Sequence, residues 1–147
     1  CEMKWLDVPE KHFAIAASLT APKLLKKSGD GFLLKPLFQP LQMVRSFAGR
    51  SQREHPCHFR THRVSRDAIR VEGGASYRLE RTPSDVTLVS ALGTYSLAFK
   101  TDGNKVAVTR ELTLLPGRLT ADEFPAFVDF CEQVDAAERE SIIFQKL

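Results

Sequence analysis

The sequence predicts a mainly β protein: an antiparallel β-sandwich of roughly eight to ten short strands with one amphipathic helix near the C-terminus. Three observations predict it. Apolar side chains recur every second residue in short runs between residues 2 and 115. Turn-forming residues separate those runs. After Leu119 the apolar period changes to that of a helix.

The early runs are the less regular ones. "HFAIAASL" places Phe13, Ile15, Ala17 and Leu19 on one face of a half-buried strand. "SGDG" at 28–31 is a turn whose two glycines can take positive φ. "FLLKPLF" follows, and Pro36 and then Pro40 restrict it to an edge or broken strand. "LQMVRSF" reads as a strand with Leu41, Met43, Arg45 and Phe47 on one face.

The later half predicts a meander. "SYRLER" pairs Tyr77 with Leu79, "DVTLVS" pairs Val86 with Leu88, and "TYSLAFK" aligns Tyr95, Leu97 and Phe99. "KVAVTRELTLL" aligns Val106, Val108, Leu112 and Leu114, with Arg110 interrupting. The Asp102-Gly103 step between Phe99 and Val106 marks a tight hairpin. "ALGT" at 91–94 is a second turn with Gly93 at the bend, and "EGGAS" at 72–76 is another turn.

A helix is predicted over about 122–138, with Phe124, Phe127, Val128, Cys131 and Val134 on one face and Phe130 widening it. Thr120 and Glu123 have capping-box spacing. Asp122 is the preferred cap, because it places Pro125 in the first turn, where no backbone donor is lost. Asp122 and Glu123 suit the helix dipole, and Glu132, Asp135 and Glu138 read as the solvent face. Burying five such side chains is worth about 10 kcal/mol before entropy is subtracted. "SIIFQK" at 141–146 is a closing strand.

Composition bounds the function. The chain has 147 residues, 43% apolar and 27% charged, with a net charge of +3. These values fit an ordinary globular domain and do not by themselves suggest a nucleic-acid binder. The reading is one β-sandwich domain over 1–147, a piece of a larger protein. No apolar run approaches the ~20 residues of a membrane-spanning helix. The start at Cys1 reads as a fragment or a processed terminus, with a lipid-modified cysteine as the sharper alternative. No basic start precedes an apolar run, as it would in a signal peptide. Cys1, Cys57 and Cys131 form no CxxC pair, and Cys131 falls on the apolar side of the helix as a buried free thiol.

Residues 53–63, "REHPCHFRTHR", hold the richest chemistry. On a strand His58, Arg60 and His62 share one face, and Cys57, Phe59 and Thr61 the other. Two histidines four apart on a strand are about 13 Å apart, too far for one zinc ion. A metal-dependent enzyme built on His55, Cys57 and His58 across a turn is the sharp alternative; an exposed strand with Phe59 as its core contact is preferred. Cys57 and His58 point to opposite faces, so they form no nucleophile–base pair within a regular strand. No GxSxG, HExxH or phosphate-cradling glycine loop occurs. No catalytic, cofactor-binding or metal residue is therefore assigned, and no cofactor is expected. A wider basic stripe, Arg45, Arg50, Arg53, Arg60, Arg63, Arg66 and Arg70, is a candidate surface for an anionic ligand or another domain. Nucleic acid is disfavoured, because exposed aromatics do not interleave the arginines.

The order of these features resembles the C-terminal β-domain of large bacterial transglutaminase-like proteins. Those proteins carry an N-terminal domain of unknown function and then a papain-like core. The resemblance runs from about residue 30 to the end. It rests on "FLLKPLFQP", "RSQREHP" with Arg53 and Pro56 in place, "DAIRVEGGASY", "LGTYSLAFKTDGNKVAVTRELTL" and above all "ADEFPAFVDFCEQVDAAERESIIF". Val71-Glu72-Gly73-Gly74 stands where that family has a Leu-Pro-x-Gly turn, so the proline is missing. The resemblance implies a noncatalytic accessory or scaffold domain whose partner is the upstream core or another protein domain. The family's catalytic triad belongs to that core, so none of it transfers to Cys1, Cys57 or Cys131. The resemblance also implies a periplasmic or secreted setting.

Overall fold

A computed structural model of the chain describes residues 2–3, 15–16, 25–49 and 52–147. Among these there are twelve strands and two helices. In chain order they are β1 (Glu2–Met3), β2 (Ile15–Ala16), β3 (Leu25–Ser28), β4 (Gly31–Leu34), α1 (Met43–Phe47), β5 (Cys57–Phe59) and β6 (Arg63–Glu72). Then come β7 (Tyr77–Arg81), β8 (Val86–Ser90), β9 (Gly93–Asp102), β10 (Lys105–Leu114), β11 (Gly117–Leu119), α2 (Phe124–Ala137) and β12 (Ile142–Lys146). The mainly β, antiparallel expectation holds, with more strands than the eight to ten predicted. The strands form two four-stranded sheets, β6-β10-β9-β8 and β3-β4-β12-β7, and two pairs, β11-β5 and β1-β2. Most of the "HFAIAASL" run lies outside the described residues, as does Cys1.

The first sheet is built by alternation. Val106, Val108, Arg110, Leu112 and Leu114 of β10 are buried, as are Tyr95 and Leu97 of β9. The residues between them face outward. Gly103, at φ 55, turns the chain between Asp102 and its partner Lys105, as the Asp-Gly signal predicted. α2 lies against β8, with Phe124, Phe127, Val128, Phe130, Cys131 and Val134 buried. Leu34, Ile142 and Phe144 of the second sheet join the same apolar core.

Five expectations are corrected. First, residues 41–47 do not form a strand; Met43–Phe47 is the helix α1. The Asp135 carboxylate on α2 accepts the Met43 and Val44 N–H groups at 2.7 and 3.1 Å. Those are first-turn donors that have no partner within a helix. Second, β7 leaves the meander and pairs with β12 in the other sheet. The Asn104 side-chain amide donates to the carbonyls of Gly73 and Tyr77, at 2.7 and 2.8 Å, and holds the crossing between β6 and β7.

Third, Asp122 does not cap the helix: Glu123 precedes α2, and a reciprocal Thr120–Glu123 pair closes the turn that leads into it. Thr120 N and Oγ1 both donate to Glu123 Oε2 at 2.9 Å, and Glu123 N donates back to Thr120 Oγ1. Fourth, only Gly29 takes positive φ in the SGDG turn, at 58°. Gly31 is needed for space instead, since a Cβ there would meet the Phe144 carbonyl. β4 is accordingly an interior strand between β3 and β12, and it ends before Pro36. Fifth, Gly93 is the first residue of β9, with Ala91 and Leu92 forming the turn. A Cβ on Gly93 would meet the Leu114 side chain.

Candidate functional site

The segment 53–63 is spread over surface and core rather than gathered. His55 is exposed in the loop before β5. On β5, Cys57 and Phe59 are half-buried and His58 is exposed, because successive residues face opposite sides. Phe59 is a core contact, with its ring centroid 5.1 Å from that of Phe127. Among the described residues no three His, Cys, Asp or Glu side chains converge as metal ligands.

The arginines take different partners. The Arg53 guanidinium lies over the Phe124 ring at 4.6 Å, and Arg63 lies over Phe47 at 5.6 Å. Arg66 pairs with Glu111 at 2.9 Å across the β6–β10 ladder. Arg45 donates to Gln42 Oε1 on its own helix turn. Arg60 and Arg70 are exposed, and Arg50 lies outside the described residues.

The interior polar cluster centres on Arg110. Its Nε and Nη2 donate to Asp67 Oδ2 at 2.9 and 2.6 Å. Its Nη1 donates to Glu138 Oε1 at 2.8 Å and to the Gln39 carbonyl at 3.1 Å. Glu138 Oε1 also accepts the Tyr95 hydroxyl, and its Oε2 accepts the Leu41 N–H at 2.7 Å. Glu138 and Asp135 are therefore not the solvent face of α2, as they were expected to be. Burial pulls the Arg110 pKa down, but the Asp67 and Glu138 carboxylates outweigh it and hold the guanidinium above its ordinary value.

Two signals in the sequence could have located this cluster. Arg110 sits in phase with Val106, Val108, Leu112 and Leu114, and a charged residue on a core face needs a partner. Glu138 continues the helical spacing of Phe127, Cys131 and Val134. Within the cluster the Arg110 and Glu138 groups are engaged, whereas Asp67 is 37% exposed and is held through Oδ2. Each Glu138 oxygen has a donor, and the guanidinium reaches three acceptors. Such an arrangement ties β6, β10, α2 and the segment before α1 together. Beside it lies a cleft of about 640 Å³, lined by Lys26, Lys35, Leu37, Phe38 and Arg139 among others.

The family model for DUF3858, described as a domain of unknown function with solved structure, matches residues 30–144. The chain belongs to this family. No curated protein matches the chain. Among solved structures, the DUF3858 fold is similar to a putative protease from Parabacteroides distasonis, with a TM-score of 0.55 at 14% identity. That likeness covers 67% of this chain and 19% of the other, and at this identity it shows shared fold alone. The chain spans well under two thirds of that protein's length.

Proposed function

We propose that this DUF3858 chain is a noncatalytic accessory domain of a larger, transglutaminase-like protein, where it braces the papain-like core or binds a partner protein. The observation that carries this reading is the fold likeness to only 19% of a much longer chain described as a putative protease. Two features of the site support it. The buried polar groups around Arg110 and Glu138 are occupied by one another and by backbone donors. Cys57 and His58 diverge on β5. In this reading the arginine-bearing side, with Arg60, Arg66 and Arg70 exposed, is the contact surface. The purified chain, assayed for amine incorporation and for peptide hydrolysis, is expected to show no turnover above the protein-free rate. Turnover abolished by Cys57→Ala would overturn the reading.

A further inference from the structure

We infer that the edge of β6 away from β10 is a docking edge, which takes an extended acidic segment of another protein as an added antiparallel strand. β6 is ten residues long and pairs with β10 in unbroken register, from Arg63 opposite Leu114 to Glu72 opposite Lys105. Among the described residues nothing pairs with its other side. Backbone N–H and C=O groups alternate left and right along a strand, so about half of those on β6 face this open side.

The other edges of the two large sheets are shorter and protected. β3 has four residues, including Lys26 and Lys27. β7 has five residues and joins β12 across a register shift. β8 has five residues and lies against α2. Short length, charged side chains, an inward-pointing charge, bulges and helix cover are the usual protections against strand addition; β6 has the charges, with Asp67 pointing inward, and lacks the others. β6 contains no proline, glycine or lysine, and no bulge.

Its side chains specify the occupant. Ile69 and Val71 face the core but are only half-buried, whereas Val106 and Val108 beside them are each 1% exposed. An added strand with apolar residues on that face would cover their open flank. On the opposite face Arg66 and Arg70 are exposed, about 13 Å apart along the strand. Arg70 has no ion-pair partner among the described residues, and the Arg66–Glu111 pair is solvent-exposed. Asp67 is turned inward onto Arg110 and does not oppose an incoming carboxylate. The fitting occupant carries acidic residues four apart on one face and β-branched residues on the other. A second copy of β6 fits poorly: of the antiparallel registers that keep both apolar faces on one side of the sheet, the two of greatest overlap set Asp67 against Asp67 or Arg66 against Arg70.

The inference deepens the accessory-domain reading, and its test has no catalytic readout, so each can fail without the other. The probe is a capped peptide of about nine residues, with valine at alternate positions, two glutamates four apart on the other face, and threonine elsewhere. Its control replaces the glutamates with lysines. By fluorescence anisotropy the acidic peptide is expected to bind the purified chain about tenfold tighter or more, and to weaken as salt rises. Hydrogen exchange should then be slowed within residues 63–72. The double variant Arg66→Glu/Arg70→Glu should invert the preference between the two peptides. Equal or absent binding of both peptides, protection elsewhere in the chain, or a concentration-dependent dimer that protects β6 without peptide would each overturn it.

Discussion

Arg110 Nη1 and Glu138 Oε1 meet at 2.8 Å, joining β10 to the C-terminal end of α2. The two side chains are 5% and 1% exposed. The same guanidinium holds Asp67 on β6 and the Gln39 carbonyl before α1, so one side chain fixes four parts of the chain. A buried pair of this kind adds little over apolar packing, but losing one partner strands the other charge in the core.

Asp135 does similar work for α1. Asp135→Ala leaves the Met43 and Val44 N–H groups without their acceptor, at a cost of about 1–3 kcal/mol. Urea unfolding should register the loss, and hydrogen exchange should quicken first over residues 43–47. Unchanged exchange there would mean that α1 stands without help from α2.

The two glycines of the β3–β4 hairpin should separate by substitution. Gly31→Ala drives a Cβ into the Phe144 carbonyl of the neighbouring strand, which costs about 1–3 kcal/mol. Gly29→Ala meets no atom and costs only the backbone strain of φ 58, about 1 kcal/mol. Urea midpoints of the two variants compare them, and Gly31→Ala should be the less stable.

At the start of α2, Thr120→Ala removes the hydroxyl that accepts the Glu123 N–H and donates to Glu123 Oε2, leaves the backbone bond from Thr120 N, and should cost about 1 kcal/mol. Asp122→Ala, on an exposed residue with no bond in the cap, should be close to neutral. Thermal unfolding of the two variants checks the order.

Stability should fall at alkaline pH. Burial, and then Asp135 and Glu132, push the Cys131 thiol up to about 12 from 9.0. The folded state therefore favours the protonated thiol. Its contribution is fully present below about pH 9 and is lost as pH rises toward about 12. Tyr95 shifts upward as well, through burial and then Glu138, and adds a loss of the same sign. Urea midpoints measured across this window should drop, and Cys131→Ala should drop less steeply.

Some of this was legible in the sequence because the deciding interactions are local. The Asp102-Gly103 turn and the Phe127, Cys131 and Val134 spacing are decided within a few residues, and both appear as predicted. α1 was not legible, because its short apolar run suits either period and the deciding carboxylate lies about 90 residues away, 92 positions from Met43. The move of β7 into the second sheet was hidden for the same reason, since Asn104 holds that crossing from the β9–β10 turn. Of the candidate arginine surface, the residue types were visible but their partners were not. Phe47 and Phe124 engage Arg63 and Arg53 through tertiary packing. The cluster that organises the interior leaves a trace in the sequence, since Arg110 and Glu138 both keep the phase of their apolar faces and both are buried.

The central claim, that the polar interior holds the fold together, is tested most directly by a double-mutant cycle on Arg110 and Glu138 in urea. Arg110→Met and Glu138→Leu should each cost about 3–5 kcal/mol, and the double variant should cost far less than their sum. Strictly additive losses, or single variants as stable as the parent chain, would contradict it.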